Sequence, residues 1–465
     1  VFIPIVILNL LALSIATRAD AQCPPTYTYT GNGPDSLGHA VSGGGDIDND
    51  GYPDIVIGSP RFNSDRGRVY VFSGLTGDTL RVIDGPAGTS SRFGSSLASS
   101  ADFNSDGYAD VVIGAPYYTD VSGNRGAVYV ISGLNSDTLF KFLGGINDQF
   151  PALGFLVAIA GDVNGDGTTD ILATGLRSKA VTGDDKGAAY VFSGLNGNLL
   201  FLYHNKEGGR SGEFGWSGGP AGDVNHDGLA DVIIGDPQDR DGTQGAAFVF
   251  YGDSLINPDT ISAYGADRTY KEYNQLGWSV GSLGDYNGDQ YDDIIVSCGN
   301  FSTVVAYSGF DGSQLFTLDA GVDESLIDAS SDFNNDGTRD IVLAEPGWDS
   351  DNGRIEIYSG SDLSLLKTLT EYTVDRFGGK IAVAGDIDGN GYPDLIVGSD
   401  YRSEARVYSF PTDLCFNSAY HASAGVWPES SCWTLDLPDT ATASTSIVGD
   451  TLVLPNDDSL IYFQD

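Results

Sequence analysis

A nine-residue acidic loop recurs seven times along the chain, and that repetition limits the fold more than any other feature. The first copy reads Asp46-Ile47-Asp48-Asn49-Asp50-Gly51-Tyr52-Pro53-Asp54. The others begin at Asp102, Asp162, Asp223, Asp285, Asp332 and Asp386, with start-to-start spacings of 56, 60, 61, 62, 47 and 54 residues. A unit of that length is too small to bury its own apolar face. Neighbouring units must therefore stack, as in solenoids, propellers or arrays.

The residues around each loop keep fixed offsets. In the first repeat Leu37-Gly38-His39-Ala40-Val41 reads as a small-residue strand ahead of the loop. Asp54-Ile55-Val56-Ile57-Gly58-Ser59-Pro60 is a continuous β-branched run of the kind buried on both faces. Gly67–Gly74 reads as a third strand, and Thr79–Ile83, after a Gly77-Asp78 turn, as an alternating outer strand. Eight residues before the first Asp stand Gly38, Gly94, Gly154, Gly215, Gly277 and Gly378, each after Leu or Phe; the sixth repeat has Asp323-Glu324 there instead. Four residues after the last Asp the residue is small: Gly58, Gly114, Thr174, Gly235, Ser297, Ala344 and Gly398. Small residues there permit close backbone approach. Most closing third strands end in Ser-Gly, at 73–74, 132–133, 193–194, 308–309 and 359–360.

Four short strands per repeat and no convincing helix predict an all-β, seven-bladed propeller with four-stranded blades. A propeller must close or it leaves sheet edges exposed. The seventh repeat stops after its third strand, Arg406–Phe410, whereas Thr26-Tyr27-Thr28-Tyr29-Thr30 has no partner in its own repeat. The N-terminal strand is therefore expected to complete blade 7.

Alternating loop positions can point oxygens inward, and Ca²⁺ takes six to eight hard oxygens at roughly 2.3–2.6 Å. Side chains at positions 1, 3, 5 and 9 and the backbone carbonyl at position 7 form the expected ligand sets. They are Asp46, Asp48, Asp50, Tyr52 and Asp54 in the first loop, then Asp102, Asn104, Asp106, Tyr108 and Asp110 in the second. The third offers Asp162, Asn164, Asp166, Thr168 and Asp170; the fourth, Asp223, Asn225, Asp227, Leu229 and Asp231. The fifth offers Asp285, Asn287, Asp289, Tyr291 and Asp293; the sixth, Asp332, Asn334, Asp336, Thr338 and Asp340. The seventh offers Asp386, Asp388, Asn390, Tyr392 and Asp394. Up to seven Ca²⁺ are expected. The first loop, with four Asp, is expected to be among the tightest. The fifth, with Gln290 where the others have Gly, is expected to be the loosest or most distorted, at a cost of about 1 kcal/mol if φ is positive there.

An EF-hand or dockerin loop needs flanking helices and an acidic residue at position 12. That position here is Ile57, Ile113, Ala173, Ile234, Val296, Leu343 or Val397. Mg²⁺ suits the loops less, because it keeps its waters and demands stricter geometry. The metal-free alternative is an Asx-turn, in which Asp and Asn bond their own backbone. Seven clusters of three or four carboxylates would repel without a cation, and this favours Ca²⁺.

At these residues the chain resembles a known family. The order Arg92-Phe93-Gly94, Asp102–Asp110 and Gly114-Ala115-Pro116 resembles the FG-GAP repeats of the integrin α-subunit propeller. Gly58-Ser59-Pro60 and Gly235-Asp236-Pro237 are related spellings, and the resemblance covers about residues 26–410. It implies a seven-bladed propeller with Ca²⁺ in the loop between the first and second strands of a blade. In integrins only some blades carry such loops; here all seven do, which looks more like the secreted FG-GAP proteins of microbes. Neither the remaining integrin domains nor their membrane span is visible, so integrin signalling is not carried over.

The other segments place this propeller at residues 22–410. An apolar run, Val1–Ala16, precedes Ala19-Asp20-Ala21, which fits a signal peptide over residues 1–21 with an A-x-A cleavage site. A membrane anchor is the competing reading; the run is short of ~20 residues and contains Pro4 and Asn9. No other transmembrane segment is expected. With no initiator Met ahead of the run, the basic n-region is expected to be missing from the sequence. In an oxidising compartment Cys415 and Cys432 are the favoured pair among Cys23, Cys298, Cys415 and Cys432, although four cysteines allow three connectivities. Residues 411–465 read either as a β-rich extension or as the start of a truncated second domain.

The 64 Asp and Glu oppose 23 Lys and Arg, a net charge of −41, which excludes nucleic acid as a partner because phosphate needs basic counter-charge. No catalytic residues are expected. His39, on the expected inner strand, and His226, at a loop's fourth position and facing solvent, have no nucleophile-elbow motif beside them. Nearly all suggestive Asp pairs already belong to the loops. Tyr117-Tyr118, Trp348 and Tyr401 are candidates for sugar stacking or for ordinary loop packing. The expected function is a secreted or cell-surface calcium-binding propeller for adhesion, recognising an extracellular protein or glycan. Two alternatives stand beside it: an extracellular polysaccharide-active enzyme or its accessory module, with catalysis beyond residue 465, and a passive structural spacer.

Overall fold

The computed structural model describes residues 25–145, 152–176, 187–204, 213–240, 244–254, 260–262, 266–273, 275–300, 302–371, 375–399, 401–410, 446–448, 451–453 and 461–462. Residues 25–411 form one unit. In it, seven antiparallel sheets each run from an inner strand outward. Blade 1 is Ala40–Gly45, Asp54–Ser59, Arg68–Phe72 and Thr79–Asp84. The inner strands of successive blades pack side by side, and that of blade 7 packs against that of blade 1, so the ring closes. Outside blade 4, whose strand runs on to Arg240, the second strands are buried along their whole length, which explains their unbroken apolar runs.

Blade 7 takes its outer strand from the chain start, as expected. Tyr27–Thr30 pairs antiparallel with Glu404–Tyr408. Its aromatic side chains also reach blade 1: Tyr29 stacks on Phe72 at 3.9 Å, and the Tyr27 hydroxyl donates to the Leu75 carbonyl at 3.0 Å.

The FG and GAP residues are one device for joining blades. The FG glycine N–H donates to the GAP-position carbonyl of its own blade, as in Gly94 to Gly114 at 3.0 Å. Its own carbonyl faces the GAP position of the preceding blade. A Cβ on Gly58 would lie 2.2 Å from the Gly94 oxygen, and one on Gly398 would lie 2.1 Å from the Gly38 oxygen across the closure. Where the GAP residue is Thr174 or Ser297, its hydroxyl donates to that carbonyl instead, on Gly215 at 2.7 Å and Ser325 at 2.8 Å. The FG-position Phe or Leu fills the wedge between blades; Phe93 packs with Val56 and Val69 of blade 1 and Tyr129 of blade 2.

Three expectations change. The inner strand of blade 1 is Ala40–Gly45, not 37–41, because Gly38 at φ +83° ends extended backbone; His39 therefore sits in a turn. Two four-residue helical turns occur, Phe62–Asp65 and Trp348–Asp351, but their inner residues are left-handed, so neither is a regular helix. A strand from the blade 4 region, Thr260–Ser262, adds in parallel to the outer strand of blade 3. Among the described residues, no helix is long and apolar enough to cross a membrane. Cys298 is buried and free; the favoured Cys415–Cys432 pair and the 1–21 segment lie outside the described residues. In the tail, Ser446–Val448, Thr451–Val453 and Ile461–Tyr462 form a small antiparallel sheet.

Candidate metal loops and the opposite face

All seven loops join an inner strand to a second strand on one face of the ring. Six inner strands slip register just before the loop, as between Ser42 and Gly45, and this bulge turns the chain into it. Inside the loops one hydrogen-bond pattern repeats. The position 1 carboxylate accepts the N–H of position 5 at 2.9–3.2 Å. It also accepts the N–H of position 6 at 2.7–2.9 Å. Position 3 accepts the position 5 N–H, and position 5 accepts the position 7 N–H. The Asx-turn bonds of the metal-free alternative are thus all present; in loop 1 the bonded oxygens of Asp46, Asp48 and Asp50 accept one bond each, whereas Asp162 Oδ1, Asp166 Oδ2 and Asp336 Oδ2 accept two or more.

The ninth-position Asp does more than was expected of it. All seven are fully buried. One oxygen accepts the N–H of position 2, at 2.7–3.1 Å. The other accepts the N–H of Gly74, Gly133, Gly194, Gly252, Gly309 or Gly360 after the third strand, or of Phe410 in blade 7, at 2.8–3.2 Å. This Asp therefore ties the loop to the third strand and explains the recurring Ser-Gly. Leaving either buried N–H without an acceptor would cost about 1–3 kcal/mol. Burial pushes these carboxyls up, to about 7 for Asp54, Asp170, Asp231 and Asp394 and to about 6 for Asp110 and Asp293, against the backbone bonds that lower them.

The loops are not equivalent. In loop 1 the carboxylates of Asp46, Asp48 and Asp50 bring oxygens within 4.8 Å of one another, and in loop 7 those of Asp386, Asp388 and Asp394 do the same. In the other five, position 3 is Asn and its amide donates to the position 5 carboxylate at 2.8–3.0 Å. Asp at position 3 therefore sets loops 1 and 7 apart as the two in which three carboxylates converge. The loops also touch: the carbonyls of Asp46, Asp162 and Asp223 accept the position 8 N–H of the next loop, at 2.9, 3.0 and 3.1 Å.

Position 4 is left-handed in every loop, with φ from 57° to 77° at Asn49, Ser105, Gly165, His226, Gly288, Asn335 and Gly389. The mix of Gly, Asn, Ser and His there was the available signal, since Gly and Asn tolerate that region. His226 is exposed, with its ring 5.5 Å from that of Tyr291. The fifth loop is not distorted. Gln290 adopts φ 75° and keeps its bond to Asp285 at 2.9 Å. The strain is therefore local, and Gln290→Gly is expected to raise stability by about 1 kcal/mol. Chemical denaturation would check this; a destabilised variant would mean that the Gln side chain makes a compensating contact.

The other face carries a different surface. The central channel opens there into a cavity of about 640 Å³ lined from all seven blades. Tyr117 and Tyr401 lie at its wall, the latter 70% exposed. Tyr118 and Trp348 instead pack, Tyr118 under the Lys141 ammonium at 4.2 Å and Trp348 under the Arg354 guanidinium at 5.2 Å.

Comparison with known proteins agrees with this architecture. The FG-GAP repeat family matches residues 37–72, 93–131 and 214–250, and the FG-GAP-like repeat family matches 332–397. Integrin alpha pat-2 of Caenorhabditis elegans is 28% identical over 222 residues, covering 43% of this chain and 18% of its own length. Integrin alpha-3 of Cricetulus griseus is 31% identical over 230 residues, covering 46% and 21%. Integrin alpha-V of Gallus gallus is 30% identical over 213 residues, covering 43% and 20%. The matched chain thus spans about a fifth of each relative's length. In fold alone, a chain of a mitotic checkpoint complex crystal structure superposes with TM-score 0.52 at 12% identity, covering 84% of this chain and 97% of that one. The chain carries FG-GAP repeats, and its propeller is similar to that of integrin α subunits.

Proposed function

We propose that this FG-GAP, integrin-α-like propeller is a secreted or cell-surface recognition protein whose acidic loops hold calcium. The observation that carries the reading is the convergence of carboxylate oxygens within single loops, closest at Asp46, Asp48 and Asp50 and at Asp386, Asp388 and Asp394. Loop hydrogen bonds leave lone pairs on these oxygens, and the donor set is all oxygen, as a hard cation requires. Calcium would supply positive charge at the rim of every blade. The residues of this chain would hold it: side chains at positions 1, 3, 5 and 9 and the position 7 carbonyl.

Recognition is then the role of a rigid face. Ninth-position clamps join each loop to its own third strand, and inter-loop bonds join loop 1 to 2, 3 to 4 and 4 to 5. Filling the loops would therefore stiffen the ring as a whole. The similarity to integrin α subunits supports adhesion or ligand recognition, and the apolar run at Val1–Ala16 supports export. We read the chain as a binding protein, since its suggestive Asp pairs are engaged in loop hydrogen bonds. The test is an array of matrix proteins and glycans probed with the whole chain in calcium and in EDTA. Saturable, calcium-dependent signal is expected. Turnover of a polysaccharide would favour the enzyme reading, and no saturable signal on any spot would favour a passive spacer.

A further inference from the structure

The cavity at the channel mouth has a composition the rest of the chain does not share. Arg61, Arg92, Arg376 and Lys380 line it with a single acid, Glu324. In the whole chain, acids outnumber Lys and Arg by 64 to 23. Two of the arginines have partners that moderate their charge: Arg376 pairs with Glu324 at 3.1 Å and with Asp351 at 3.7 Å, and Arg92 pairs with Asp65 at 3.6 Å and lies over the Tyr117 ring at 4.3 Å. Arg61 is exposed, two residues beyond the end of Asp54–Ser59. That strand separates it from the acidic loop by roughly 20 Å, about two Debye lengths at physiological salt, so the loop carboxylates are largely screened from the cup.

The cations come from blades 7, 1 and 2, and the aromatic residues face them from blades 3, 4 and 5. Phe155, Trp216 and Trp278 occupy the same register position, one residue after the FG glycine. Their rings follow one another around the wall, with centroids 5.9 Å apart from Phe155 to Trp216 and 4.8 Å apart from Trp216 to Trp278. The equivalent residues in blades 1, 2 and 7 are His39, Ser95 and Gly379, and the last two leave room on the cationic side. All three rings are half-buried. A cavity of about 640 Å³ lies within the usual small-ligand range of roughly 300–1,000 Å³.

We infer that this cup binds an acidic oligosaccharide, with sugar rings against the Phe155–Trp216–Trp278 wall and carboxylate or sulfate groups on Arg61, Arg92, Arg376 and Lys380. The inference rests on the recognition reading above and names its ligand class and site. A pyranose ring presents a flat C–H face beside its charged substituent, which matches an aromatic wall set against arginines. An acidic peptide would use the cations and leave the three rings without flat partners.

Calorimetric titration of the whole chain in calcium tests it, with hexamers of galacturonate, hyaluronan and heparin as probes. Cellohexaose and a hexaglutamate peptide are the comparisons. At least one acidic hexasaccharide is expected to bind tenfold or more tightly than either comparison, and to weaken as salt rises. Arg61→Glu, at an exposed position, is expected to weaken it more than tenfold with an unchanged melting temperature. Trp278→Ala is expected to weaken it as much, with circular dichroism reporting the fold. Failure of all three acidic probes, equal binding of hexaglutamate or cellohexaose, or an unaffected Arg61→Glu chain would overturn the assignment. If the parent still gives calcium-dependent array signal in those cases, the cup assignment falls and the recognition reading stands. A parent with no array signal removes both.

Discussion

In EDTA the chain is expected to melt at least about 5 °C lower than in calcium, with full recovery when calcium is returned. A ligand that binds only the folded state stabilises by roughly 2.7 kcal/mol per site at a hundredfold excess over its Kd. Two strong sites, in the loops of blades 1 and 7, would already supply about 5 kcal/mol, a large part of a typical stability of 5–15 kcal/mol. The pH dependence in chelator should be the reverse of the usual carboxylate case. Burial raises the carboxyls of Asp54, Asp110, Asp170, Asp231, Asp293 and Asp394 to about 6–7 in the folded chain, well above the ordinary aspartate range, and raises that of Asp340 as well. The folded state then binds more protons than the unfolded state between those values, so metal-free stability rises as pH falls from 8 towards 5. Calcium should compete with those protons and flatten the trend. A melt that moves by less than about 2 °C in chelator would sink the metal reading. A chelated chain that loses stability from pH 8 to pH 5 would sink the account of the buried carboxyls.

A chain that starts at Asn32 is expected to be less stable than one that starts at Pro25 by on the order of 5 kcal/mol. The deleted strand, Tyr27–Thr30, supplies the outer ladder of blade 7. Each ladder bond contributes about 1 kcal/mol net, and each partly buried Tyr somewhat less than the roughly 1.5–3 kcal/mol of a fully buried large side chain. The loss also opens the edge of Glu404–Tyr408, which should make the shorter chain associate at high concentration. Paired thermal melts with light scattering would measure both effects. Equal melting temperatures for the two chains would mean that the ring closes without this strand.

The energetic weight at the closure explains why the chain ends were readable. An unpaired strand at 26–30 and a seventh repeat one strand short are complementary deficits, and hydrogen-bond accounting permits few ways to cancel them. The loops were readable for a similar reason. Position-specific oxygens at 1, 3, 5 and 9 are a local pattern, set within nine residues. What that pattern could not convey was the second role of Asp54 and its six counterparts. Their partners, such as Gly74 and Gly252, lie about twenty residues away, just after the third strand. The four Asp of loop 1 are legible in the sequence, but not that the Asn amide at position 3 of five other loops donates to the neighbouring carboxylate. Leu37-Gly38-His39 is apolar and small enough to read as β, but the left-handed φ of Gly38 starts the inner strand three residues later, at Ala40.

By itself, then, the sequence determined the repeat, the number of blades, the closing strand and the place of the acidic loops, because each is written in short-range spacing or in a deficit that only one segment can fill. Tertiary structure alone decided which residues meet across blades. It put the FG carbonyl of one blade against the GAP residue of the one before. It also gathered Phe155, Trp216 and Trp278 opposite Arg61, Arg92, Arg376 and Lys380. Those residues are spread over more than three hundred positions, and only closing the ring brings them to one channel mouth.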